Sequence, residues 1–222
     1  MRLRGVLLDV DGTLLDSNVA HASSFVDALT AHGWRRPPES VLPLIGMGGD
    51  RVIEILGLDP KSDVGKAVLK DTKRIFKTRY LPGLFPFPGA RELLLRMRQS
   101  ELRLVVASSA ARTELDALLD AARVRDLVDD TTSADDAAEA KPAPDIVHAA
   151  IAKARLPADE LILLGDTPYD VEAGRRAGVR VVAVRSGGWS DAALRGASRI
   201  YADVAELLAR YDESPFTERP AG

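Results

Sequence analysis

The apolar run Val6-Leu7-Leu8, passing directly into Asp9-Val10-Asp11-Gly12-Thr13-Leu14-Leu15-Asp16, constrains the chain more than any other stretch. It has no polar alternation, which suits a strand covered on both faces in a parallel sheet. Asp9 and Asp11 are two residues apart, so in extended backbone they point the same way, at the carboxyl end of that strand. Open α/β sheets collect their ligands in the crevice beyond those ends. Two carboxylates facing one small volume raise each other's pKa unless a cation offsets them. A hard divalent ion with oxygen ligands is the simplest remedy, Mg2+ where phosphate is also present. The plainer alternative is that both acids cap a turn or the helix that follows.

After Asp16 the period changes. Val19, Ala22, Phe25, Val26 and Leu29 recur at helical spacing, and Gly33 stops the helix. Ile45-Gly46-Met47-Gly48-Gly49-Asp50-Arg51 is a glycine-rich bend that either cradles a phosphate or permits a tight turn, with Asp50 placed to cap the next helix. Ser62 to Tyr80 reads as one long amphipathic helix with Val64, Val68, Leu69, Ile75 and Phe76 on its buried side. Residues 17–84 are thus expected to be an all-helical insertion, and Pro82-Gly83 and Pro86-Phe87-Pro88-Gly89 mark the return of the chain.

From Ala90 strands and helices alternate. Strands are expected at Leu102 to Ala107, weakly at Leu127 to Thr132, at Leu161 to Leu164 and at Val179 to Val184. Short connections between them predict an α/β fold, a doubly wound parallel, Rossmann-like sheet built from residues 1–16 and 85–222. The last helix ends near Tyr211, and residues 212–222 read as a frayed tail.

Thirty basic against 33 acidic residues, with no basic block, argue against nucleic acid as a partner. There is no cysteine, and His21, His32 and His148 are scattered, so any metal must be held by oxygen. No apolar run reaches the length of a membrane span and no signal peptide precedes the first strand, so no membrane association and a cytoplasmic location are expected.

Four separate strand or loop ends offer polar residues: Asp9 and Asp11, Ser108 and Ser109, Lys141, then Asp166 and Asp170. Each alone has an ordinary explanation as a cap, turn or surface charge. Their convergence at one edge of a parallel sheet is harder to explain that way. In this order the set resembles the haloacid dehalogenase-like hydrolase superfamily over nearly the whole chain, in its helical-cap branch of phosphoglycolate phosphatase and β-phosphoglucomutase-like proteins.

The resemblance implies a catalytic core and, at 17–84, a helical cap domain. It implies Asp9 as nucleophile, Asp11 as general acid and base, and Lys141 as the cation that stabilises the phosphoryl group. Mg2+ would be held by Asp9, Asp11 through its backbone carbonyl, Asp166, and Asp170 through water. Thr13, Ser108, Ser109 and Lys141 would bind the phosphoryl group, and His21, Gly48 and Arg51 of the cap the rest of the substrate. The implied activity is Mg2+-dependent hydrolysis of a small phosphorylated metabolite by a monomer or homodimer. A sugar-phosphate mutase is the alternative, and a phospho-accepting signalling or interaction protein the non-enzymatic one. The cap loop is more similar to the phosphatases, and an acid at Asp11 argues against carbon-halogen cleavage.

Overall fold

The first apolar run does become a strand buried on both faces, and its two neighbours set where the polar residues emerge. In the computed structural model, which describes residues 3–217, the strands are β1 (Gly5–Leu8), β2 (Arg103–Ala107), β3 (Asp130–Thr132), β4 (Leu161–Gly165), β5 (Arg180–Val184) and β6 (Arg199–Tyr201). They form one parallel sheet in the order β3-β2-β1-β4-β5-β6. Strand order reverses at β1, and the crevice beside it, between β1 and β4, is where doubly wound sheets bind ligands. Every residue of β1 and of β4 is buried, as expected for central strands of a covered parallel sheet.

The helices are α1 (Asn18–Ala31), α2 (Pro38–Val41), α3 (Gly49–Ile55), α4 (Asp63–Ile75), α5 (Ala90–Gln99), α6 (Arg112–Ala121), α7 (Asp145–Ala154), α8 (Pro168–Arg176) and α9 (Val204–Ala209). The chain divides into two compact units, one of residues up to Asp16 and from Phe85 onward, the other Ser17–Leu84. The first contains the sheet with α5 to α9. On one side of the sheet Ile146, Val147 and Ala150 of α7 pack with Leu7, Val105 and Leu163 in a continuous apolar core. The second unit is helical throughout its ordered elements. Its core joins Phe25 and Leu29 of α1, Ile53 of α3 and Val68 of α4.

Several expectations need correction. The helix expected over Ser62 to Tyr80 is α-helical only to Ile75, and Phe76–Tyr80 continue as a π-helical turn. Val64 is exposed, not buried, because the inward face of α4 is Gly65, Val68 and Thr72, one position off. Val19 is likewise 65% exposed while Asn18, Ala22 and Phe25 face inward. Gly48, at φ +85°, is the N-cap of α3, and Asp50 lies within the first turn without capping it. Strand β6 went unread because its three residues are too short for a period and only Tyr201 is buried.

The frayed tail does not begin at 212. Residues 211–213 and 215–217 form short 3-10 turns, and Pro215 and Phe216 are buried, with Phe216 stacked against Tyr211. Residues 218–222 lie outside the described residues. Among the described residues no helix is long and apolar enough to cross a membrane.

Candidate active site

Register places the acids. Leu8 is level with Val106 of β2 and Leu164 of β4, and the Asp9 amide extends the ladder by donating to the Leu164 carbonyl at 2.9 Å. Asp9, Ser108 and Asp166 therefore leave adjacent strands at nearly the same height. Beyond Asp9 the chain folds on itself: the Leu14 and Leu15 amides donate to the Val10 carbonyl, and the Gly12 amide to that of Leu15. Gly12 stands at φ +75°, a conformation that glycine adopts without steric cost. This turn aims the Thr13 hydroxyl back at the strand end, 3.2 Å from Asp9 Oδ2 and 3.1 Å from Asp166 Oδ1.

Lys141 completes the group. It is 1% exposed, and its ammonium donates to Asp9 Oδ1 at 2.7 Å and to the Ala107 carbonyl at 2.9 Å, and lies 2.7 Å from Asp170 Oδ1. Two of the three ammonium donors are hydrogen-bonded in this way, and the Asp170 contact is an ion pair. The other oxygen of Asp170 accepts from the Thr167 amide at 3.0 Å and its hydroxyl at 2.6 Å, while the Thr167 hydroxyl oxygen accepts from the Asp170 amide. This reciprocal capping box starts α8 and presents Asp170 to the lysine. Gly165 leaves the room: a Cβ there would overlap the Asp170 carboxyl group.

Carboxylate oxygens of Asp9, Asp166 and Asp170 lie within 4.8 Å of one another, and all three residues are buried. Burial pushes the Asp9 pKa up to about 7; Lys141 pulls it down, and the Asp170 charge adds to the rise. For Lys141 burial favours the neutral form, but Asp170 and Asp9 together hold its pKa above the ordinary lysine value. Asp9 and Asp170 thus share the Lys141 ammonium, and the Asp166 carboxylate stands beside them. In addition, one hydroxyl proton on Thr13 faces two carboxylate oxygens and can serve only one at a time. A set of hard oxygen donors with excess negative charge fits Mg2+.

The remaining site residues are distributed as follows. Asp11 is half-buried and bridged through its backbone to Leu15, and its side chain is not one of the three clustered carboxylates. Ser108 is buried, with its hydroxyl oxygen accepting from the Ala110 amide at 3.1 Å, and Ser109 is half-buried. His21, Gly48 and Arg51 belong to the helical unit. The His21 ring stacks on Phe76, centroids 3.9 Å apart and planes 7° from parallel. Arg51 is exposed and pairs with Glu54 on its own helix at 2.6 Å.

Sequence reasoning missed Thr167, which a Thr-x-x-Asp capping pattern could have revealed. It also missed Ser186 and Gly187 beyond β5, for which the sequence carries no signal.

Residues 6–184 match the family described as haloacid dehalogenase-like hydrolase. The chain is 30% identical over 196 residues to protein CbbY of Rhodobacter capsulatus, covering 82% of this chain and 85% of that one. It is 28% identical over 191 residues to phosphoglycolate phosphatase of Nitrosospira multiformis, covering 83% and 84%. Among solved structures, a hydrolase from Pseudomonas syringae superposes with a TM-score of 0.87 at 28% identity, covering 95% of this chain and 98% of the other. With the strand order, the clustered acids and the buried lysine on the same sheet edge, the chain belongs to the haloacid dehalogenase-like hydrolase family of enzymes.

Proposed function

We propose that this enzyme is a Mg2+-dependent phosphatase that hydrolyses small phosphomonoesters through an aspartyl-phosphate. The observation that carries the reading is the buried assembly of Asp9, Lys141 and Asp170 beside Asp166, which suits a divalent cation that would in turn offset the charge of a phosphoryl group. The phosphatase name of the Nitrosospira relative points the same way.

Asp9 attacks phosphorus and forms the new O–P bond as the bond to the ester oxygen breaks. Asp11 gives its proton to that departing oxygen, then takes a proton from the water that attacks the aspartyl-phosphate, which releases phosphate and restores Asp9. Lys141 fixes the orientation of Asp9 and, with the Ser108 hydroxyl and Thr13, holds phosphoryl oxygens. Mg2+, held by Asp9, the Asp11 carbonyl and Asp166, would offset charge on the transferring group. Asp170, with both oxygens already engaged by Lys141 and Thr167, acts as a positioning residue and would help hold the ion only through water. The helical unit, with His21, Gly48 and Arg51, is assigned to substrate selection, acting on a phosphorylated metabolite.

The test is phosphate release from a panel of small phosphomonoesters with Mg2+ and with chelator, using Asp9→Asn as the blank. Release that needs both the ion and Asp9 is expected. Isomerisation of a sugar phosphate with a bisphosphate activator, faster than phosphate release, would replace the phosphatase with a mutase.

A further inference from the structure

The loop after β5 touches the site from a side the mechanism leaves unused. Arg185–Gly187 form one 3-10 turn. The Ser186 hydroxyl donates to the Gly12 carbonyl at 2.6 Å, joining residues 174 apart in sequence. That carbonyl belongs to the peptide leading into Thr13, whose hydroxyl lies against both Asp9 and Asp166. Gly187 closes the other side: a Cβ there would overlap the Asp166 carboxylate, meeting its Cγ at 2.7 Å and its Cβ at 2.9 Å.

Backbone conformation does not account for glycine at 187. The left-handed position is the next residue, Gly188, at φ +85° with nothing near its missing side chain. Volume does account for it, because the Gly187 α-carbon serves as one wall of the space that Asp166 occupies. The two neighbouring glycines thus separate two physical causes.

We propose that Ser186 and Gly187 form a strap that sets the spacing of Asp166 against Asp9 and thereby the affinity for the divalent cation. Ser186 acts through the Gly12 peptide and Gly187 through direct contact with Asp166, so both are positioning residues. The inference rests on the assignment of Asp9 and Asp166 as cation ligands. Loss of a partner that orients a metal ligand typically costs about 10–100-fold in metal affinity.

The experiment is calorimetric titration of Mg2+ into the full chain without substrate, alongside the melting temperature of each metal-free protein. Gly187→Ala should weaken Mg2+ binding about tenfold or more. Gly188→Ala should lower the melting temperature, because alanine is strained there, yet leave affinity within about twofold. Ser186→Ala should weaken binding about tenfold, and Ser186→Thr, which keeps the hydroxyl, should restore it. The serine pair decides the matter if Gly187→Ala does not fold. Wild-type affinity in Gly187→Ala or in Ser186→Ala overturns the strap. So does a loss in Ser186→Ala that Ser186→Thr does not restore. A wild-type protein that takes up no Mg2+ overturns the metal assignment itself, an outcome distinct from equal binding by wild type and variants.

Discussion

In the α/β unit the ion pair of Lys141 with Asp170 is sealed off, the two side chains being 1% and 2% exposed. In the helical unit the corresponding ties are on the surface: Arg79 with Asp27 at 68% and 33%, Arg74 with Asp71 at 61% and 31%. Buried charges cost several kcal/mol each in desolvation and survive only where each is fully paired, whereas exposed pairs contribute little. The first unit therefore invests stability in holding a few groups in fixed geometry. The second depends on its apolar cluster and leaves Val19, Leu42, Ile55 and Val64 substantially exposed. Charge is thus buried and fixed in one unit, while these ion pairs of the other stay open to solvent.

Lys141→Met should break this contrast most visibly. It leaves Asp9 and Asp170 buried without their cation, and the loss of stability in urea should be about 3–5 kcal/mol. A loss under about 1 kcal/mol would place the Lys141 network with the surface pairs. Gly65→Ala probes the other unit. A Cβ there would fall on the Asp59 backbone carbonyl, which cannot yield as a flexible side chain does, so a cost of about 1–3 kcal/mol is expected. Mg2+ titration of the same variant should match wild type, since no proposed ligand lies in that unit.

Asp136 is an intermediate case, a partly exposed acid in the α/β unit. Burial alone would raise its pKa, but the Ser133 amide, the Lys153 ammonium and the Ser133 hydroxyl favour the charged form and hold it at about 2, against an ordinary 3.8. Because the folded value is the lower one, the contribution to stability is complete above about pH 4 and is lost as pH falls toward 2. Urea midpoints for Asp136→Asn should therefore converge on wild type across that window. The smallest effect is expected at Arg51. Its exposed pair with Glu54 makes Arg51→Ala neutral for stability within about 0.5 kcal/mol, while KM for the preferred phosphomonoester rises and kcat holds.

The parallel sheet could be read from sequence because β1 and β4 are continuous apolar runs, and the acids because they stand at the ends of those runs. Three-residue β6 and the turn at Phe76–Tyr80 left no trace, since neither generates a period of its own. Within the site, Lys141 could be recognised only as part of the motif set. That it pairs with Asp170 rather than with Asp9 alone depends on the Thr167 cap and on the space at Gly165. Gly187 was invisible for a related reason: its role is an excluded volume against a residue 21 positions earlier.

In the proposed reaction the Asp9 carboxylate forms the bond to phosphorus. This step is tested most directly by acid-quenching the enzyme during turnover of a phosphomonoester with Mg2+ and locating the phosphoryl group by peptide mass spectrometry. One phosphoryl group is expected on the peptide carrying Asp9, absent from Asp9→Asn. A phosphoryl group on any other peptide, or phosphate release by Asp9→Asn at the wild-type rate, would contradict it.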